Sequence, residues 1–234
     1  MSRGRLQVVS TPIGNLDDLS ARAHRALAEA DLVACEDTRH TGRLLAGLGL
    51  KKKLVSLHEH NERSRAPGLV EDLVAGSSIA LVSDAGTPLL SDPGFVLVRE
   101  AIAAGVPVEP LPGASAALAA LVVSGLPPYP FTVAGFSPPK SGKRRSFFNR
   151  FAELGHTLVV FESPHRVLAS LDDAIEVLGD RDAALGRELT KMHEEVVRGR
   201  LSEIRDELAA RTAIKGEITL VIGADLPRQK SPLP

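Results

Sequence analysis

The chain has 234 residues, 44% of them hydrophobic and 24% charged, and a formal net charge of −1. That composition sustains one large or two small globular domains with real cores. It excludes a molecule that draws polyanions by overall charge, so any nucleic-acid site must come from local clustering. A single cysteine, Cys35, excludes an intrachain disulfide. No apolar leader is visible and no stretch reaches the ~18 apolar residues of a membrane span. The expectation is therefore a soluble cytoplasmic protein with no membrane partner.

Aromatic residues are 3% and Trp is absent, so the core must be built from Leu, Val, Ile and Ala, as where helices cover a mostly parallel sheet. The first expected strand is Leu6–Ser10. It is followed by an amphipathic segment with Leu19, Ala23, Ala26, Leu27 and Ala30 on one face, and with Asp17 as its expected N-cap. Leu32–Cys35 and Leu54–Leu57 are the next strands. Leu69, Leu73 and Val74 mark another helix, and Ile79–Val82 and Val106–Leu111 complete the set. Five strands separated by helices predict a parallel α/β sheet over residues 1–112. The Gly125-Leu126-Pro127-Pro128-Tyr129-Pro130 run marks a break, and residues 113–130 are read as a linker and crossing-helix region. Ala114–Val123 reads as a helix, and strands Phe131–Phe136, Thr157–Phe161, Ala183–Arg187 and Glu217–Ile222 then alternate with helices Arg166–Leu178 and Ser202–Ala210. They predict a second α/β domain over 131–225, followed by a Pro-rich tail at 226–234.

The densest functional signal is Ser83-Asp84-Ala85-Gly86-Thr87-Pro88-Leu89-Leu90-Ser91-Asp92-Pro93-Gly94. It follows the fourth strand and is longer than the 2–6 residues usual for such a turn. Its glycines let backbone approach a ligand, its prolines stiffen it, and Asp92 is placed to cap the next helix. Ser10-Thr11-Pro12-Ile13-Gly14-Asn15 follows the first strand, and Leu111-Pro112-Gly113-Ala114-Ser115-Ala116 follows the fifth. The three loops are expected to converge at one edge of the sheet, where α/β proteins bind ligands. None is a GxGxxG or Walker loop, so phosphate-rich nucleotides are not indicated.

Cys35, in an apolar run, reads as a buried thiol. His58-Glu59-His60 puts two imidazoles on one strand face, but no third ligand is assignable and no metal is expected. Glu36-Asp37-Thr38-Arg39 sets acid beside cation, either as a helix cap with an ion pair or as a reactive pair. No Asp or Glu occurs from Pro110 to Ala152. Within that span, Lys140, Lys143, Arg144, Arg145 and Arg150 interleave with Phe147 and Phe148, which suits a phosphate-binding surface over a buried aromatic face.

Taken together, STPIGNLDDLS, CEDTRHTGRLL, HEHNE, SDAGTPLLSDPG, PGASA, GFSPPK, FESPHR, RELTKMHEE and KGEITLVIG resemble the small-subunit ribosomal RNA (cytidine-2′-O)-methyltransferase I family of the tetrapyrrole methylase superfamily. The resemblance spans about residues 6–224. Two departures are visible: Phe161 stands where a Tyr is usual, and Ser137-Pro138 where Leu-Pro is more typical.

The resemblance implies two α/β domains of the tetrapyrrole methylase (class III methyltransferase) type. The N-terminal sheet would be parallel and the C-terminal sheet mixed, with a cofactor cleft between them and a homodimeric assembly. It also implies S-adenosyl-L-methionine as cofactor and 16S rRNA, within the assembled small ribosomal subunit, as substrate. The acceptor would be the ribose 2′-OH of a decoding-region cytidine.

Carried onto this sequence, the cofactor contacts are Pro12, Gly14, Asp84, Gly86, Thr87, Pro88, Ser115 and Ala116, with Phe161, Leu189 and Gly216 from the second domain. Asp37 and His165 lead the candidates for removing the hydroxyl proton, with His58, Glu62 and Lys191 behind them. Arg39, Lys140, Lys143, Arg144, Arg145 and Arg166 are the expected RNA contacts.

Three other readings compete. A small-molecule tetrapyrrole (precorrin-type) methyltransferase shares the fold and cofactor. A Mg²⁺-dependent phosphatase would use Asp84 as nucleophile, but Ala85 and Gly86 break the DxDGT pattern. A non-enzymatic ribosome-binding module has no need of small-residue, ligand-shaped loops.

Overall fold

The computed structural model describes residues 4–224; the expected tail at 226–234 lies outside the described residues. The chain divides between Ser115 and Ala116 into two compact units.

The N-terminal unit runs β1 (Arg5–Val9), a 3-10 turn (Leu16–Asp18), α1 (Ala21–Glu29), β2 (Leu32–Cys35), α2 (Thr38–Gly47), β3 (Lys53–Ser56), α3 (Glu62–Val74), β4 (Ser78–Val82), α4 (Phe95–Ala103) and β5 (Val108–Leu111). The strands form one sheet in the order β3-β2-β4-β1-β5, and every pairing is parallel. Side chains alternate between its faces. Leu6, Leu32, Ala34, Ile79 and Leu81 pack under Leu69 and Leu73 of α3 and Leu97 and Ala101 of α4. Val9, Val33, Cys35, Ala80 and Val82 pack under Ala23, Ala26 and Leu27 of α1 and Leu45 of α2. Right-handed crossovers account for this division, because connections running toward β3 and those running toward β5 place their helices on opposite faces. Neighbouring β1 and β4 therefore send their loops to opposite sides, and a crevice opens at the carboxyl edge of the sheet between them. Pro110 sits in β5, an edge strand, where its missing N–H costs no ladder bond.

The C-terminal unit runs α5 (Ala116–Val123), β6 (Phe131–Phe136), α6 (Ser141–Asn149), β7 (Thr157–Glu162), α7 (Val167–Leu178), β8 (Asp182–Arg187), β9 (Glu195–Arg200), α8 (Leu201–Ala209) and β10 (Ile218–Ile222). Its sheet has the order β6-β7-β10-β8-β9 and is mixed: β6 and β7 are parallel, the other pairs antiparallel. One large core joins Phe147, Phe148, Leu158, Val160, Leu171, Leu201, Ile204 and Leu220. The helix expected at Ala114–Val123 is α5, which buries Ala117, Ala120 and Leu121 and packs on β10, β7 and β8.

Three local expectations are corrected. Ser20, not Asp17, caps α1, its hydroxyl accepting from Ala23 N; Asp17 lies in the 3-10 turn that Asn15 caps. Gly94, not Asp92, is the N-cap residue of α4. Strand β9 was not expected, because Glu195-Val196-Val197-Arg198-Gly199-Arg200 carries three charges and shows no buried-strand run; it survives as an edge strand paired only to β8.

Candidate functional site

In the N-terminal unit the three polar loops meet. Thr11 and Gly86 exchange backbone hydrogen bonds (2.9 and 3.1 Å), joining the loops after β1 and β4. The Thr87 hydroxyl lies 3.1 Å from that of Ser10 and donates to the Ala114 carbonyl at 3.2 Å, which ties in the loop after β5. Gly113 packs so closely that a Cβ there would sit 2.9 Å from the Ser10 Cβ. The loop after β4 holds four residues at positive φ: Gly86, Leu89, Ser91 and Gly94. Two are not glycine, and each such residue costs roughly 1–3 kcal/mol that the surrounding contacts must hold. Strain stored next to a crevice is a feature of binding sites rather than of simple turns.

The edge is acidic and uneven in its protonation. The Asp84 carboxylate accepts from Asp37 N at 3.2 Å. Burial and the negative charge of Asp84 push the Glu36 carboxyl up. Burial and the nearby Glu36 charge push Asp92 up to about 6, against a hydrogen bond from Ser83 that pulls the other way. Asp37 moves oppositely: its carboxylate takes hydrogen bonds from the Arg39 side chain and from Arg39 N (2.7 Å) and His40 N (3.4 Å), which hold its pKa down. A carboxylate so engaged caps α2 and is a poor proton acceptor.

Glu62 is also committed. It is buried, and one carboxylate oxygen accepts from Gly94 N (2.9 Å) and Val96 N (2.7 Å), capping α4 from α3. That oxygen is occupied as a helix cap. His58 N donates to the Asn61 side chain at 2.8 Å, while its Nδ1 is buried without a partner among the described residues. Burial raises the Cys35 thiol, which is inert as a nucleophile in that form. No group of three metal-ligating side chains occurs among the described residues.

In the C-terminal unit, the Phe161 ring lies 5.4 Å from that of Phe136, tilted by 50°. Leu189 is buried and lies against Gly186. Gly216, at φ +92, passes so close to Glu188 that any Cβ would clash with it. Lys191 is held between Glu188 (2.9 Å) and Glu217 (3.2 Å), and these carboxylates raise its pKa against the effect of burial. Both carboxylates favour its protonated form. His165 is exposed; its backbone N donates to Ser163 Oγ at 3.3 Å and its ring has no partner among the described residues.

A carboxylate that the sequence reading passed over, Glu162, ends β7 in a buried position. It accepts from Ser137 Oγ, from Ser163 N (2.7 Å) and from Arg166 Nε (3.4 Å). The signal available was an acid closing an apolar strand. The unusual Ser137 supplies one of its donors, and Arg166 is thereby partly engaged.

The basic segment is also divided. Arg144 is buried, pairs with Asp173 at 2.6 Å and donates to the carbonyls of Pro138, Pro139 and Ala169. Its guanidinium is taken up by these contacts and clamps α6 to α7. Arg145 binds Glu176 at 2.7 Å.

The model for the Tetrapyrrole (Corrin/Porphyrin) Methylases matches residues 5–205. A protein of Micromonospora olivasterospora named ribosomal RNA small subunit methyltransferase I is 48% identical over 94% of this chain and 70% of its own length. One of the same name from Haemophilus influenzae is 48% identical over 94% of this chain and 78% of its own. Among solved structures, a diphthine synthase aligns with a TM-score of 0.73 at 20% identity, over 94% of this chain and 90% of its own. A Thermus thermophilus uroporphyrin-III C-methyltransferase, solved in complex with S-adenyl homocysteine, aligns at 0.66 and 24% identity over 94% of this chain and 97% of its own; at such identities these two show the fold alone. With the family model over most of the chain and relatives near half identical, the chain belongs to the tetrapyrrole methylases and, within them, to the ribosomal RNA small subunit methyltransferase I family.

Proposed function

We propose that the protein methylates 16S rRNA, transferring the methyl group of S-adenosylmethionine to the ribose 2′-OH of a decoding-region cytidine. The observation that carries the cofactor reading is the wall built by Thr11, Gly86, Thr87 and Ala114 beside Glu36, Asp84 and Asp92. It offers backbone groups, short hydroxyls and carboxylates, two of them pushed up and so favoured by an added positive charge. That suits a cationic, phosphate-free ligand bearing a sulfonium and an ammonium group, and it does not suit a nucleotide phosphate.

S-adenosylmethionine, when bound, supplies a methyl group already activated by its sulfonium. Pro12, Gly14, Asp84, Gly86, Thr87, Pro88, Ser115 and Ala116 are assigned to holding it, with Phe161, Leu189 and Gly216 of the C-terminal unit. Their task is alignment, which supplies much of the rate in an in-line displacement. His165, with a free ring, is assigned to take the hydroxyl proton. Asp37 is assigned to positioning Arg39 through their 3.3 Å ion pair. The assembled small subunit as substrate, a cytoplasmic location and a homodimer complete the reading. Exposed Leu118 and Val122 on α5 support an apolar interface between copies.

The test is transfer of labelled methyl to 16S rRNA, naked and in assembled subunits, followed by mapping of the modified nucleotide. A 2′-O-methylcytidine in the decoding region is expected. Transfer to a small tetrapyrrole with none to rRNA would overturn the reading.

A further inference from the structure

The five cations between Lys140 and Arg150 separate by their partners. Arg144 and Arg145 turn to α7, where Asp173 and Glu176 neutralise them. Lys140, Lys143 and Arg150 have no ion pair among the described residues; spaced three and seven apart, they follow one exposed stripe. Lys143 and Arg150 line an open groove of about 290 Å³ together with Pro138, Gly142, Ser146 and Phe147. No carboxylate lines it. The Arg150 guanidinium lies over the rings of Phe147 (5.2 Å) and Phe151 (5.5 Å), which fixes the fork before any ligand arrives. At Gly142 a Cβ would meet nothing within 4 Å, so the groove is open to approach over backbone.

We propose that this groove binds a backbone phosphate of the RNA substrate. Lys143 and Arg150 are its two cations, and Lys140 engages a neighbouring phosphate. The inference rests on the rRNA reading above. It replaces Arg144 and Arg145 with Arg150 in the contact set. Arg supplies a planar bidentate fork and Lys a mobile point charge, a pairing suited to phosphate. The stripe from Lys140 to Arg150 rises roughly 15 Å along the helix, longer than a single phosphate and suited to a strand of them.

The test compares wild type, the groove variant Lys143→Ala/Arg150→Gln and the control Arg22→Ala/Arg25→Ala. The control removes the same charge from exposed positions of α1. Affinity for a 16S rRNA transcript is measured across a salt series, alongside affinity for S-adenosylmethionine. The groove variant is expected to bind RNA ~10–100-fold more weakly at ~0.1 M salt. Its log K against log salt slope should be shallower by about 1.4–1.8, the contribution of two phosphate contacts. The control and every S-adenosylmethionine affinity should stay at wild-type values. Wild-type RNA affinity and slope in the groove variant overturn this inference alone, as does an equal loss in the control. Wild type that binds S-adenosylmethionine but no rRNA overturns the rRNA reading itself.

Discussion

Arg144 and Asp173 meet where both side chains are almost out of water: Nε donates to Oδ2 at 2.7 Å, with side-chain exposures of 4% and 9%. Ser141 Oγ occupies the other carboxylate oxygen at 2.8 Å, and the remaining guanidinium protons go to backbone carbonyls. The pair fastens the Pro138-Pro139 turn and α6 to α7.

Removing Arg144 leaves the buried Asp173 carboxylate with only the 3.8 Å contact of the half-exposed Arg145, against a cost of about 3–5 kcal/mol for a buried charge left wholly unpaired. Arg144→Ala is therefore expected to lower Tm sharply. The double variant Arg144→Met/Asp173→Leu should recover part of the loss, because no lone charge then remains. Thermal unfolding of the three proteins checks this. An Arg144→Ala protein with wild-type Tm and weakened RNA binding would return Arg144 to the RNA surface.

Glu62 gives a graded prediction. As a cap of α4, its acceptor oxygen matters more than its charge. Glu62→Gln keeps an acceptor and should cost well under ~1 kcal/mol, whereas Glu62→Ala should cost about 1–2 kcal/mol. Both variants, below their unfolding temperature, should methylate at near wild-type rates. Loss of methyl transfer in the folded Gln variant would instead place Glu62 in the chemistry.

What the sequence disclosed and what it hid follow from the range of the interactions. β2 and β4 were legible because strands buried on both faces read as continuous apolar runs such as Leu32–Cys35. The three loops were legible because Gly, Pro, Ser and Asp concentrate where a chain turns at a strand end. Their meeting required β1, β4 and β5 to be neighbours, which the alternation of strands and helices predicts only as a class of sheet. The burial of Arg144 was hidden because its partner lies 29 residues on; from sequence it is one of five equal cations. The capping role of Glu62 was hidden for the same reason, its donors lying 32 and 34 residues away. β9 was missed because an edge strand needs only one apolar face and tolerates charge.

Gly86 tests the junction of the loops. Its φ is +79, and an added Cβ would sit 3.3 Å from Ile13 Cγ2. Gly86→Ala is expected to cost roughly 1–2 kcal/mol from the left-handed backbone, with the methyl group pressing on Ile13. The larger effect should be on the ligand wall, because the exchanged hydrogen bonds with Thr11 must shift. Calorimetric titration should show S-adenosylmethionine affinity reduced several-fold while the protein stays folded at ~25 °C. Unchanged affinity would remove this junction from the binding surface.

Asp92 gives a signed pH dependence. Its folded pKa, about 6, lies above the ordinary carboxylate value of 3.8. A group raised in this way favours folding fully below its unfolded pKa, and that contribution is lost as pH rises through the folded one. The folded state holds the proton across about pH 4–6 while the unfolded state releases it, so stability drains over that window and stays lower above it. Asp92→Asn keeps the neutral form at every pH. The difference in Tm, variant minus wild type, should be near zero at about pH 4, grow across the window, and level off above about pH 6.5. Taking the difference removes the opposite trend of carboxylates such as Glu195, which Arg211 and Arg187 hold at about 2. A cationic ligand at this edge favours the ionised form, so wild-type affinity for S-adenosylmethionine should rise over the same window, and the Asn variant should flatten that rise. A Tm difference that is constant with pH would show that Asp92 is not held neutral in the fold. A pH-independent affinity in wild type would separate its ionisation from the ligand.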